Sequence, residues 1–255
     1  LGHAVLMFVL LGLVMRSYPG KGLVAFQFLE RERFYPSLFF VGLVYNMAIW
    51  ADKFVFWYNP ATSDHVIGPL RNSLIYDIPI FLSYLSIIPG MSVFLVRIET
   101  DFVERYDAFY DAVRNGDTLE NLERLKDAMV YVVRQGIYEI LKVQGLTVIL
   151  LILCGSELLG ALGISQGYLY LFYVDVVAAG LQVLLLAVLN IFFYLDQRRI
   201  TLSLSVVFLL SNTAFTLLSQ YLGPAYYDYG FASSMLLTNL IGLWLLSSKL
   251  DTLEY

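Results

Sequence analysis

The sequence predicts an all-α membrane protein, a polytopic helix bundle of about seven transmembrane helices with a cytoplasmic helical hairpin. Hydrophobic residues make up 59% of the 255-residue chain and charged residues only 15%. In soluble domains about 45–50% of residues are apolar and about 25% are charged. Apolar runs of about 18 or more residues, long enough to cross a bilayer as helices, recur along the chain. Lysine and arginine are concentrated in alternate connections between these runs, which is typical of inserted membrane proteins.

Seven apolar runs are candidate transmembrane spans. They cover about 1–18, 34–58, 76–97, 139–162, 168–195, 200–222 and 226–248. The chain begins at Leu1 inside the first run, without a signal-peptide n-region, so we expect this helix to be truncated and the chain to be a piece of a longer protein. In the third run we expect Pro79 and the Pro89-Gly90 pair to kink the helix and supply a hinge.

The basic residues predict the orientation. If the spans alternate in direction, every lysine and arginine except Lys53 and Arg71 falls on one side of the membrane. The positive-inside rule makes that side cytoplasmic. The outer connections are then 59–75, 163–167 and 223–229, and Gly68-Pro69 in the first of them is a turn signal.

The longest connection, 99–136, predicts the cytoplasmic helical hairpin. Apolar residues recur at helical spacing on both sides of a break at Asn115-Gly116. Asp117-Thr118-Leu119-Glu120 resembles a helix start, with a capping residue and a glutamate three positions on. This hairpin either covers the inner mouth of the bundle or docks a cytoplasmic partner. The candidate docking residues are Phe102, Tyr106, Phe109, Leu122, Leu125 and Met129.

Charged residues inside the second span are the first candidates for function. A charge at the centre of a span costs about 2.5–3.5 kcal/mol, so Asp52 and Lys53 are expected to face protein or a water-filled cavity. The alternative is that both lie near the membrane surface and snorkel to it. The spacing i, i+4, i+7, i+11 puts four residues on one helix face, a plausible lining for a polar path. These residues are Asn46, Trp50, Lys53 and Trp57.

The fifth span carries a second polar face. Asp175, Gln182 and Asn190 lie within about 80° of one another around the helix. We predict that Lys53 pairs with Asp52 or with Asp175, which lie at similar depth. Alternatively, each polar residue is satisfied separately where helices pack. Aromatic residues within the spans, including Tyr84, are candidates for stacking on sugars.

Several classes of function lack their sequence signals. There is no Gly-rich phosphate loop, no Ser/His/Asp set and no metal-ligand spacing. Cys154 is the single cysteine, and two scattered histidines, His3 and His65, are too few for a metal site. We therefore expect a protein that is not an enzyme, holds no metal or cofactor and has no nucleic-acid partner.

Six long segments of the chain are distinctive. They are WADKFVFWY (50–58), VIGPLR (66–71), YDIPIFLSYLSIIPGMSVFLVRIETDFVERYDAFYDAVR (76–114), RQGIYEILK (134–142), LYLFYVDVVAAGLQVLLLAVLNIFFYLDQRR (169–199) and YLGPAYYDYGF (221–231). These segments closely resemble the PelG family of inner-membrane exopolysaccharide exporters, which is grouped with the MOP superfamily of polysaccharide flippases. The resemblance runs from about residue 34 to the end of the chain.

The resemblance implies a domain organisation and a function. Full-length members have two six-helix lobes, so 1–33 would be the truncated end of the first lobe with a cytoplasmic linker, and 34–255 the second lobe. The substrate would be Pel, an amino-sugar polymer that can carry positive charge and that acidic residues such as Asp52, Asp77 and Asp175 would attract. The implied partners are a cytoplasmic glycosyltransferase, other membrane components of the Pel synthesis complex and membrane lipid. The polymer would follow a polar groove between the lobes, so one lobe alone is not expected to transport.

Two other functions fit the residues. A lipid-linked oligosaccharide flippase would need cationic groups for a diphosphate, and Lys53 is the one basic residue within a span. A non-transporting scaffold would use the hairpin to hold a glycosyltransferase at the membrane, and the polar residues in the spans would then be dispensable.

Overall fold

The computed structural model describes residues 2–18 and 35–252. The chain divides into two compact units, one ending at Pro36 and the other beginning at Ser37. In the first unit, α1 (Gly2–Ser17) is an apolar helix whose side chains are exposed. The predicted cytoplasmic linker, 19–33, lies outside the described residues.

The second unit is a bundle of helices with one small pair of strands. Its elements are α2 (Pro36–Trp57), β1 (Asp64–Ile67), β2 (Leu70–Asn72), α3 (Leu74–Tyr84), α4 (Ile88–Val96), α5 (Val103–Asn115), α6 (Leu119–Ala161), α7 (Leu169–Tyr194), α8 (Arg198–Leu222) and α9 (Tyr229–Asp251). Short 3-10 turns precede α4, α7 and α9, and a π-helical turn, Arg97–Phe102, joins α4 to α5.

Six helical segments of the described chain are long and apolar enough to cross a membrane. They cover 36–57, 74–115, 119–161, 166–194, 198–222 and 224–251. α1, with 16 residues, is a shorter apolar helix. The predicted all-α, multi-pass fold is therefore confirmed: six of the seven predicted spans are long apolar helical segments, and the first, expected to be truncated, is a shorter apolar helix.

Helix α7 lies at the centre of the second unit. Its valine, leucine and alanine residues are buried on nearly every side, and the helix packs against α3, α6 and α9. A helix that is apolar all round is expected in such a central position. An ionisable residue on α7 is consequently held away from the surface of the bundle.

The predicted hairpin is formed by extensions of two span helices. α3, α4 and α5 follow one another in a single helical segment, and α6 is an unbroken helix of 43 residues. The two extensions meet at the predicted break, where Gly116 has a φ of +69° that a glycine adopts readily.

The start of α6 is displaced by one residue from the predicted helix start. Its N-cap is Thr118, whose hydroxyl accepts a hydrogen bond from the backbone N–H of Asn121 at 3.4 Å. Bonds from the Thr118 amide and the Asn121 side chain lower the pKa of Asp117.

The connection 59–75, predicted to lie outside, contains an antiparallel hairpin that the sequence pattern did not predict. β1 and β2 pair Asp64 with Asn72 and His65 with Arg71. The turn between them lies at the predicted Gly68-Pro69 signal, and Gly68 has a φ of +56°. Strands of four and three residues are too short to show the alternation by which strands are recognised.

The proposed hinge residues lie in different surroundings. Pro79 is buried inside α3, which continues through it. The helix instead changes to a 3-10 turn at 85–87, just before Pro89, because a proline has no N–H to donate to the preceding turn. At Gly90 a Cβ atom would lie 2.3 Å from Oε1 of Gln144, so this glycine allows α4 to approach α6 closely.

The predicted orientation can be tested with two exposed residues at opposite ends of the bundle, Asp64 on β1 and Asp117 at the hairpin turn. In a Cys154→Ser background, we expect a membrane-impermeant maleimide to label Asp64→Cys in right-side-out vesicles. Asp117→Cys should be labelled only after permeabilisation, and the Cys154→Ser protein without either cysteine should stay unlabelled. Labelling of Asp117→Cys in intact vesicles, with Asp64→Cys labelled only after permeabilisation, would show that the orientation is the reverse of the predicted one.

Candidate functional site

A buried polar network surrounds Asp52, in the last third of α2. Asp52 is fully buried and Lys53 is 6% exposed, and Nζ of Lys53 lies 2.8 Å from Oδ2 of Asp52. Lys53 also donates to the Tyr84 hydroxyl at 3.1 Å. The Tyr76 hydroxyl donates to Oδ2 of Asp52, and the Asn212 amide donates to Oδ1 at 3.1 Å. Of the two pairings predicted for Lys53, the structure contains the one with Asp52.

Aromatic rings enclose the Lys53 ammonium. Nζ lies 5.9 Å from the ring centroid of Tyr76, 5.4 Å from that of Tyr84 and 5.2 Å from that of Phe231. The negative faces of such rings attract a cation. Nζ also donates to the Ile49 carbonyl at 3.1 Å. The ammonium therefore has one carboxylate, one hydroxyl, one carbonyl and three rings in place of the water it loses.

Polar side chains attach α2 to its neighbours. The backbone of α2 comes close to the backbones of the other described helices at few points. Side chains therefore make much of the contact between α2 and those helices. From α8, Asn212 donates to the Ala48 carbonyl at 2.8 Å, and Gln220 donates to the Val55 carbonyl at 3.2 Å. From α3, Asp77 accepts from Nε1 of Trp57 at 2.9 Å. Hydrogen bonds thus hold α2 together with apolar contacts, such as the buried Phe56 ring, which stacks on Tyr76 at 4.1 Å between ring centroids.

Two further carboxylates are buried beside this network. Asp175, on α7, is 0% exposed, and Asp228, immediately before α9, is 1% exposed. None of their four oxygens has a hydrogen-bond partner among the described residues. Both carboxylates are close enough to Asp52 and Lys53, and to each other, to interact electrostatically.

Sequence reasoning identified Asp175 but missed Asp228. Asp228 lies in the predicted outer connection 223–229, where a carboxylate is unremarkable. Its φ of +69° places it in the left-handed region, which aspartate tolerates better than most residues. The available signal was an acid between Tyr227 and Tyr229, in a run of aromatic residues expected at the membrane interface.

The predicted stripe on α2 is divided between two places. The Lys53 side chain points into the bundle and reaches Asp52. Asn46, Trp50 and Trp57 lie on the face of α2 that points away from the bundle. They line an open, mostly apolar groove together with Leu43, Met47 and Phe54. Trp50 is 46% exposed, and its ring centroid lies 5.9 Å from that of Trp57.

The other predicted path residues on α7 stay apart from this network. Asn190 is half-buried and donates to the carbonyl of Leu186 at 3.0 Å, within its own helix. Gln182 is also half-buried, and its buried Oε1 has no partner among the described residues. Neither side chain makes a hydrogen bond with the Asp52 network in the described structure.

The predicted docking stripe lies inside the hairpin. Phe102, Phe109 and Met129 are at most 1% exposed, Leu122 is 8% exposed, and Tyr106 and Leu125 are half-buried. The stripe faces inward because α5 packs on α6 along it. A partner that docks on this hairpin must therefore use its other surface, where Tyr131 and Tyr138 are exposed.

Six long apolar helices and a group of buried charges among them define a polytopic membrane protein with an intramembrane polar site. The class that most often carries such sites comprises the transporters and channels. The family model of PelG, the exopolysaccharide exporter (EPS-E), matches residues 1–255, so the chain belongs to the PelG family. The predicted resemblance is thereby confirmed, and membership supports a role in polysaccharide export. No curated protein and no solved structure matches the chain.

Proposed function

We propose that this chain forms part of the path by which an exopolysaccharide crosses the bacterial inner membrane, in a complex with the enzyme that makes the polymer. Membership of the PelG family supports polysaccharide as the substrate. The observation that carries the proposal is the buried Asp52–Lys53 pair on α2. Charges are rare in membrane helices and usually belong to substrate or ion pathways.

The groove on α2 is the proposed contact surface for the polymer. Trp50 and Trp57 present two neighbouring indole rings, which suit the apolar faces of sugars. Asn46 and Asp77 supply polar groups at its edge, and Asp77 fixes the Trp57 ring through the 2.9 Å bond to Nε1. An apolar groove with a few placed polar groups is typical of ligand sites. In a complete exporter this groove would face the other lobe.

The attachment of α2 suggests how the path opens. Hydrogen bonds from Asn212 and Gln220 hold α2 to α8, and such bonds can exchange with water or substrate. In the proposed cycle α2 moves relative to α3 and α8. The bonds that Asp52 accepts from Asn212 and Tyr76, and the bond from Lys53 to Tyr84, fix α2 in one position.

The observed pairing weakens the case for a lipid-linked oligosaccharide flippase. A diphosphate needs free cationic groups, and the Lys53 ammonium is already neutralised by Asp52 at 2.8 Å. The path residues instead suit a polymer with neutral or cationic sugars, because the neighbouring groups are acidic or aromatic.

Three tryptophans allow a controlled test in cells that carry the full-length parent protein. Trp50→Ala and Trp57→Ala are each expected to reduce polymer export, because loss of a stacking ring removes about 0.5–1.5 kcal/mol of binding, or roughly two- to tenfold in affinity. Trp244→Ala is the matched control, since this tryptophan is 69% exposed on α9, outside the groove. Secreted polymer would be compared at equal membrane levels of each protein. Equal export from all three variants would contradict the proposed path.

A further inference from the structure

Asp175 and Asp228 take no part in the hydrogen bonds that hold the helices together. They come from separate elements, the first third of α7 and the residue before α9, yet both are buried and interact electrostatically with each other. All four of their oxygens are buried without a hydrogen-bond partner among the described residues. Structural carboxylates in an apolar interior are normally paired or hydrogen-bonded, so these two require another explanation.

The charge balance of the site is incomplete. The titratable groups that interact electrostatically with the two carboxylates are Asp52 and Lys53 from α2, Tyr76 and Tyr84 from α3, and Tyr170 from α7. α8 contributes the neutral Asn212.

The one ammonium among these groups is bonded to Asp52. Two ionised carboxylates would remain without a counter-ion, and burying an isolated carboxylate is so unfavourable that such groups neutralise instead.

A proton fits this site better than a metal ion. Hard cations such as Ca²⁺ and Mg²⁺ take about six or more oxygen ligands. Among the described residues there is no group of three or more His, Cys, Asp or Glu side chains that could hold a metal. A proton needs only one carboxylate oxygen, and each of these residues offers two.

A pocket opens close to Asp228 in the chain, although the buried Asp228 carboxylate does not itself line it. A pocket between α8 and α9 is lined by Ser219, Tyr226, Tyr229, Gly230 and Ser233, among others. Tyr229 and Gly230 directly follow Asp228 in the chain. Asp228 directly precedes α9, at the end of the bundle predicted to face outward, whereas Asp175 is the seventh residue of α7. Asp228 is therefore nearer that end and Asp175 lies deeper.

We propose that Asp175 and Asp228 form a proton-binding site, and that protons entering beside Asp228 are exchanged there during the export cycle. Each carboxylate takes a proton on one oxygen and becomes a neutral carboxylic acid, with no other bond changed. The site is separate from the Asp52–Lys53 pair, which keeps its charges. The exchange during export rests on the proposed function, whereas the binding of protons does not.

Infrared spectroscopy of the protein in lipid vesicles detects this site directly. At neutral pH we expect a C=O stretching band of protonated, poorly hydrogen-bonded carboxylic acids. The band should fall by about half in Asp175→Asn or Asp228→Asn and disappear in the double variant. Asp64→Asn, which removes an exposed carboxylate on β1, should leave it unchanged.

Several results would overturn the proton site. One is the absence of the band from the unsubstituted protein at neutral pH, a measurement that does not depend on whether a variant folds. Another is its persistence in the double variant. A band that appears only after sodium is removed would identify a sodium site instead.

The coupling to export has its own readout. In cells, a protonophore should reduce export by the unsubstituted parent protein, and Asp228→Asn should lower export at equal membrane level. Normal export from Asp228→Asn would contradict the coupling while leaving the export function intact, because that function is tested independently by the Trp50 and Trp57 variants.

Discussion

Asp52→Asn is expected to destabilise the protein by about 3–5 kcal/mol, because removing one member of a buried ion pair leaves the other charge uncompensated. The Lys53 ammonium, 6% exposed, would keep only uncharged partners: the Ile49 carbonyl, the Tyr84 hydroxyl and three aromatic rings. Lys53→Met should be less harmful, since Asp52 would still accept from Tyr76 and Asn212. The double variant should be milder than Asp52→Asn alone, because it buries no unpaired charge.

Thermal unfolding of the purified variants in mild detergent would measure these differences. The matched control is the ion pair of Arg134 with Asp251, whose side chains are 57% and 60% exposed. Breaking that pair with Asp251→Asn should change stability by about 0–1 kcal/mol. If the double variant lost as much stability as the two single variants together, the pair would not act as a unit.

The second large effect is expected from Gly230→Ala, at the place where α9 crosses α8. A Cβ atom on Gly230 would lie 2.5 Å from Cα and 2.6 Å from N of Thr216, and 2.7 Å from the carbonyl carbon of Phe215. These are backbone atoms, so no side-chain rotation can relieve the contact. Small residues permit such close crossings in membrane proteins. Since overpacking typically costs about 1–3 kcal/mol and here requires a helix to move, we expect a loss of about 3 kcal/mol or more.

Gly145→Ala provides the control for this glycine. Gly145 lies within α6, and an added Cβ would meet nothing within 4 Å. Alanine favours a helix by about 0.8–1.0 kcal/mol relative to glycine, so this variant should be neutral or slightly more stable. The yield of monodisperse protein after size-exclusion chromatography would separate the two cases. Similar yields of both variants would show that α8 and α9 can move apart at little cost.

The sequence was most informative where the membrane restricts the backbone. A spanning segment must satisfy its own hydrogen bonds, so long apolar runs predict helices reliably. Asp52 and Lys53 were recognisable as site residues because their charges interrupt such a run. The burial of Asp228 was not recognisable, since it depends on the crossing of α8 and α9 at Gly230, a contact between distant parts of the chain.

The hairpin illustrates a second limit of sequence patterns. Periodicity located its apolar stripe, including Phe109 and Met129, but an apolar face carries no information about what covers it. α5 and α6 cover each other, so residues predicted to meet a partner are buried within the chain. At Gly68 the turn was predicted correctly from the Gly-Pro sequence, whereas the two strands beside it were too short to predict.

The length of α6 determines how far the hairpin stands from the bilayer. A helix of 43 residues is about 65 Å long at about 1.5 Å per residue, roughly twice the hydrocarbon thickness of about 30 Å. The Arg97–Glu139 ion pair, at 2.5 Å, ties α6 to the neighbouring helical segment near the base of the extension. The hairpin is thus a long helical spacer. A protein that binds its tip is held tens of ångströms above the lipid headgroups, at a height fixed by the number of helical turns.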